Sequence, residues 1–185
     1  MLSPRAEWGG DRHPLVLNTQ PALIWRGELG RVELADESTG RIVWSQRVMD
    51  KGPLLLSGAT LVPGRQYTWL AYDANDLLVH AMAFQVLGGE MRQRMLSLLA
   101  ERRSEKRSAE PSASESEIQA WERVRHLSQN QLWADVLQEA YRMERPSPSL
   151  SRFRQDLEQS LCGDRPPRFS RPLSRALVRS ALTKP

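Results

Sequence analysis

The twelve residues from Leu61 to Tyr72 constrain the fold more than any other stretch of the chain. They open with Pro63-Gly64, in which proline presets φ and glycine supplies the positive φ that a type II turn demands. Beyond the turn, Tyr67, Trp69 and Ala71 point one way and Thr68, Leu70 and Tyr72 the other, because strand side chains alternate. Both sets are largely apolar or aromatic, so this strand is expected to be covered on both faces.

Other strand-like runs surround this one, separated by turn signals. Leu15 to Leu17 can open a sheet, and Pro21 to Trp25 places Ala22, Leu23, Ile24 and Trp25 on both faces. Val32-Glu33-Leu34 alternates, Asp36 to Gly40 turns, and Ile42-Val43-Trp44 follows. Gly52-Pro53 breaks the chain before Leu54 to Leu56 and Ala59 to Leu61. Ala74-Asn75-Asp76 turns it into a last run, Val79 to Leu87, which ends at Gly88-Gly89. Short strands at this spacing predict an all-β sandwich over residues 15–89, with Trp25, Trp44 and Trp69 in its core.

The pattern Leu-x-Pro-Gly-x-x-Tyr-x-x-x-Ala over residues 61–71 resembles the segment entering the sixth strand of fibronectin type III and related immunoglobulin-like sandwiches. The resemblance spans residues 15–87. It implies a tyrosine corner, with the Tyr67 hydroxyl bonded back to the loop before it.

From Glu90 the apolar period changes from 2 to 3.6. Met91, Met95, Leu98 and Leu99 predict a connecting helix over residues 90–107, with Arg102, Arg103, Lys106 and Arg107 as its solvated end. Residues 108–116 read as a polar linker. Ser114 with Glu117 has capping-box spacing, and Ile118, Trp121, Val124 and Leu127 predict the helix after it. A broad stripe follows, comprising Leu132, Trp133, Val136, Leu137, Ala140 and Tyr141. Then Ser147, with Pro148 at a first helical position, starts a helix carrying Leu150, Phe153, Leu157 and Leu161. Residues 117–162 are thus a helical hairpin plus one helix, expected to close on each other or on the sandwich. Ala134 and Pro146 stand at an alanine-to-proline spacing similar to a degenerate tetratricopeptide unit, although Gln138 replaces the expected aromatic. The whole layout resembles bacterial, notably cyanobacterial, envelope-associated proteins of unknown function. The fold class expected is α+β by segregation, an all-β sandwich followed by an all-α region.

Charge divides the chain as clearly as periodicity does. Residues 1–89 carry 8 basic against 9 acidic side chains, residues 90–162 carry 12 against 12, and residues 163–185 carry 6 against 1. The net charge of +4 therefore sits in the last 23 residues, a basic tail on a neutral body behind a polar lead-in of residues 1–14. Cys162 is alone, so no internal disulfide can form. No run reaches the ~18 apolar residues of a membrane span. No apolar stretch of about 7–15 residues follows Arg5 or Arg12, so no export signal is visible. The chain as written is expected in the cytoplasm, or in the cell envelope if the true start lies upstream.

Catalytic and metal-binding patterns are missing. His13, His80 and His126 are scattered, with no cysteine or histidine at metal-ligand spacing. Nucleophile-elbow, zinc-protease and phosphate-loop motifs do not occur. The residues therefore point away from an enzyme and imply neither a cofactor nor a small-molecule substrate. They point to a non-catalytic adaptor that binds another protein, with Leu132, Trp133, Val136 and Tyr141 as anchors if the last helix swings away. The alternative is an electrostatic tether to nucleic acid or anionic membrane through Arg168, Arg171, Arg175 and Arg179 in the tail. The tail holds Phe169 but no tyrosine or tryptophan, which disfavours base stacking.

Overall fold

The computed structural model describes residues 13–25, 27–48, 54–56, 59–104 and 113–162. Strands come first and helices after, so the chain is α+β. The strands are β1 (Leu15–Val16), β2 (Ala22–Leu23), β3 (Arg31–Asp36), β4 (Ile42–Arg47), β5 (Leu54–Leu55), β6 (Gln66–Tyr72) and β7 (Leu78–Val86). The helices are α1 (Gly89–Ser104), α2 (Ala113–Gln129), α3 (Trp133–Tyr141) and α4 (Pro148–Cys162). Five strands form one sheet in the order β1-β7-β6-β3-β4, while β2 and β5 pair separately. Every pairing is antiparallel except β1 with β7.

The Pro63-Gly64 turn forms as the sequence demands. Gly64 sits at φ +86, and the Arg65 N–H closes the turn on the Val62 carbonyl at 3.2 Å. The Val62 N–H donates to the Tyr67 hydroxyl at 3.0 Å, which is the tyrosine corner. Gly88 packs so closely on this turn that an added Cβ would stand 2.8 Å from the Gly64 Cα.

Two apolar cores share the N-terminal strands. In the first, Tyr67, Trp69 and Phe84 of the large sheet meet Leu23 and Leu56, with Val16, Val32, Leu34 and Val86 around them. Trp69 stacks on Phe84 at 5.9 Å between centroids and takes the Trp44 ring edge-on at 5.8 Å. In the second core, Leu17, Ala22, Ile24 and Leu87 meet Met95 of α1 and the inner faces of α2, α3 and α4. The alternation of strand side chains explains the division: Leu23 enters one core while Ala22 and Ile24 enter the other. That is why the run from Ala22 to Ile24 is apolar throughout.

Three expectations need correction here. Strand β6 is covered unequally: Tyr67, Trp69 and Ala71 are buried, whereas Thr68, Leu70 and Tyr72 are half-buried. Of the three tryptophans assigned to the core, Trp69 is fully buried, whereas Trp25 and Trp44 are half-buried at its margin. Trp44 lies on β4, the outer strand of the sheet, where no described strand covers its outer side. Ser114 and Glu117 both lie inside α2 (Ala113–Gln129), so the backbone is already helical where a cap was expected. Glu117 instead accepts from the Ser147 N–H at 3.3 Å and from the Ser147 hydroxyl.

Ser147 in turn accepts the Leu150 N–H at 3.2 Å, capping α4 as its Ser-Pro start predicts. At the other break, α2 ends in a Schellman arrangement. The Leu132 N–H donates to the Leu127 carbonyl at 3.0 Å and the Gln131 N–H to the Ser128 carbonyl at 3.1 Å. Gln131 holds the left-handed position at φ 60. Leu127 and Leu132 are both buried in the helical core, the apolar contact that accompanies this motif.

Candidate functional site

Helix α3 joins the helices to the strands through two polar side chains. Asp135 accepts the Leu17 N–H at 2.7 Å on Oδ2 and the Asn18 N–H at 2.9 Å on Oδ1. One turn further along, Gln138 accepts the Ala22 N–H at 3.2 Å and donates to the Gln20 carbonyl at 3.2 Å. The strand-to-strand segment 17–22 thus finds in α3 the partners that another strand would supply. Burial pushes the Asp135 carboxyl up to about 6, against the pull of the two backbone donors.

Beside this joint lies a cleft of about 260 Å³ lined by Leu17, Arg92, Leu96, Arg123, Asp135 and Glu139, among others. Its polar groups are already engaged. Arg123 pairs with Glu139 at 2.7 Å, and Arg92 donates to the Leu17 carbonyl. The Asp135 carboxyl ties α3 to the backbone of the adjacent residues Leu17 and Asn18. Among the described residues no group of three His, Cys, Asp or Glu stands together as metal ligands.

The anchors anticipated on α3 are drawn into the core. Leu132 and Val136 are buried against α2 and α4 within the chain itself, so this arrangement presents neither to a partner. Trp133 and Tyr141 are half-buried against the same core, and Trp133 is not at its centre. The Arg154 guanidinium lies 4.9 Å from the Tyr141 ring centroid and caps the end of α3, donating to the Ala140 and Met143 carbonyls at 2.7 and 2.6 Å. Burial holds the Arg154 pKa below its ordinary value. Gln138 uses its amide on the 17–22 segment, a role with no counterpart in a stacked helical repeat. Arg168, Arg171, Arg175 and Arg179 lie outside the described residues.

Among the described residues, apolar surface is left open at the turn between β6 and β7, on α1 and along β4. At the turn between β6 and β7, Leu77, Leu78 and Val79 are 63, 53 and 54% exposed. The turn that carries them is held firmly: Asp73 Oδ1 accepts the Asn75 and Leu77 N–H groups at 2.8 and 2.9 Å, and Asp76 sits at φ 59. Behind it, Arg31 bridges Glu33 and Asp76 and stacks 3.9 Å over the Tyr72 ring, whose hydroxyl donates to Glu33 at 3.1 Å. Burial and that bond to Glu33 raise the Tyr72 pKa. The second place is α1, where Met95 is buried but Met91 and Leu98 are 59 and 47% exposed. The stripe expected on α1 is therefore only half covered. The sequence did carry a sign of the first surface, three consecutive apolar residues straight after a turn, where alternation should have begun.

No helix among the described residues is long and apolar enough to cross a membrane. No protein-family model matches the chain, and no curated protein does. Among solved structures, the chain is similar to the fibronectin(III)-like modules of Clostridium thermocellum CbhA, at a TM-score of 0.30 and 16% identity, over 42% of this chain and 88% of that one.

Proposed function

We propose that the chain is a non-catalytic adaptor whose strands form a fibronectin III-like sandwich braced by the helices, and that it binds another protein through the end of the large sheet. The supporting observation is the exposed run Leu77 to Val79 on a rigid turn. Three adjacent apolar side chains held open to water cost solvation free energy that a partner recovers on burial. The arginine, tyrosine and carboxylates behind them supply a polar rim, as binding surfaces have.

The test is a pull-down with the full chain, a chain lacking residues 163–185, and a Leu77→Ser/Leu78→Ser variant. The reading expects capture by the first two at high salt and loss with the third. Capture that vanishes with the tail, and between about 50 and 200 mM salt, would show an electrostatic tether instead.

A further inference from the structure

Strand β4 is the outer strand of the five-stranded sheet, and no described residue pairs with its outer side. Its register shows which groups are open. The Val48 N–H donates to the Gly30 carbonyl at 2.9 Å, and antiparallel bonding alternates along a strand. Gln46 and Trp44 therefore face β3, while the N–H and C=O of Ser45 and Arg47 point away from it. Natural edges are commonly blunted by proline, charged side chains, bulges or extreme shortness. This one has six residues, no proline, and inward-facing Trp44 and Gln46, with a single register shift at the Leu34/Ala35 end. Ile42 and Val43 are 46 and 43% exposed along it.

Charge selects the occupant. Exposed Arg41 and Arg47 flank the strand opposite Asp36 and Arg31, five positions of β3 apart once the bulge is allowed for, or about 17 Å, and on opposite faces of the sheet. No described carboxylate is shown paired with either. A second copy laid antiparallel on this edge would bring arginine-bearing ends together. We infer that the β4 edge takes an extended peptide from a partner protein, with acidic residues about five positions apart and apolar residues between them. This rests on the adaptor reading and names a partner chemistry for a surface distinct from the Leu77 turn. Backbone hydrogen bonds to Ser45 and Arg47 would hold the peptide, Ile42 and Val43 would bury against it, and the arginines would set its register.

The experiment titrates the full chain into a fluorescein-labelled hexapeptide, Glu-Val-Thr-Val-Thr-Glu, and follows anisotropy. Saturable binding is expected, weakened about tenfold or more when lysine replaces both glutamates or when the amides on one peptide edge are N-methylated. Ser45→Pro removes an outward N–H, a change edge strands tolerate. It should abolish binding while leaving the circular dichroism unchanged. Arg41→Glu/Arg47→Glu should transfer preference to the lysine peptide, which keeps the test decisive even if Ser45→Pro misfolds. No binding, or binding indifferent to peptide charge and N-methylation, overturns the inference. So does a concentration-dependent dimer that Ser45→Pro abolishes, because the occupant is then a second copy. The Leu77→Ser/Leu78→Ser variant should bind the peptide normally, so failure at β4 leaves the adaptor reading to its own test.

Discussion

Asp135 is the residue on which the joint between strands and helices depends most. Its folded pKa of about 6 lies above the ordinary 3.8, because burial disfavours the charge more than the two N–H donors favour it. A raised pKa means the folded state holds the proton more tightly. The associated stability is fully present below about pH 3.8 and is lost as pH rises through about 6, on the order of 3 kcal/mol in all. Glu139 adds to the upward shift, and Arg92 and Arg123 face the same cleft. Wild type minus Asp135→Asn should therefore show a stability difference that falls between pH 4 and pH 7, read from guanidinium midpoints. A flat difference would disprove it. Asp135→Ala leaves the Leu17 and Asn18 N–H groups without an acceptor and should cost about 1–3 kcal/mol for each buried donor. Tyr67→Phe removes the acceptor for the Val62 N–H and should cost about 1 kcal/mol, with unchanged circular dichroism.

The elements differ in how strongly the local sequence dictates them. The Schellman end of α2 places Gln131, a residue with a Cβ, in the left-handed region, which costs about 1–2 kcal/mol against glycine. Gln131→Gly should raise stability by up to about 1 kcal/mol, since part of the gain is offset by the greater freedom of glycine in the unfolded chain. A lower melting temperature would mean that the side chain contributes more than its strain. The Pro63-Gly64 turn behaves oppositely. Gly88→Ala would push a methyl into the Gly64 backbone, and neither backbone can move cheaply, so a cost of about 1–3 kcal/mol is expected. Among the tryptophans, Trp69→Ala should cost about 3–5 kcal/mol, and Trp44→Ala clearly less because Trp44 is only partly buried at the margin of the core. Equal losses would show that the edge strand is better covered than its exposure indicates.

At the scale of the whole molecule, the second core joins what the sequence divides. Leu17, Ala22 and Ile24 from the strands share it with Leu137, Leu150 and Leu157 from the helices. A substitution that unfolds the helices should therefore strip one side of β2 and destabilise the strands with it. Leu157→Ala is expected to cost about 2–5 kcal/mol and to shift far-UV and tryptophan-fluorescence transitions together. Two separated transitions would mean that the cores fold independently. Periodicity and turn chemistry by themselves placed a run at each of the seven strands, the Ser147-Pro148 start and the four helical stripes, because each is settled by residues a few positions apart; the further run Ala59 to Leu61 forms no strand, and the Tyr67 corner came from the resemblance around Pro63-Gly64. Only the tertiary structure decided that Asp135 and Gln138 bond to segment 17–22, more than a hundred positions away. It also decided that Leu132 and Val136 are enclosed while Leu77 to Val79 stay exposed and no described residue pairs with the outer side of β4. An apolar stripe says that water is unfavourable on that face. Which neighbour covers it, or whether one does, depends on how distant elements pack.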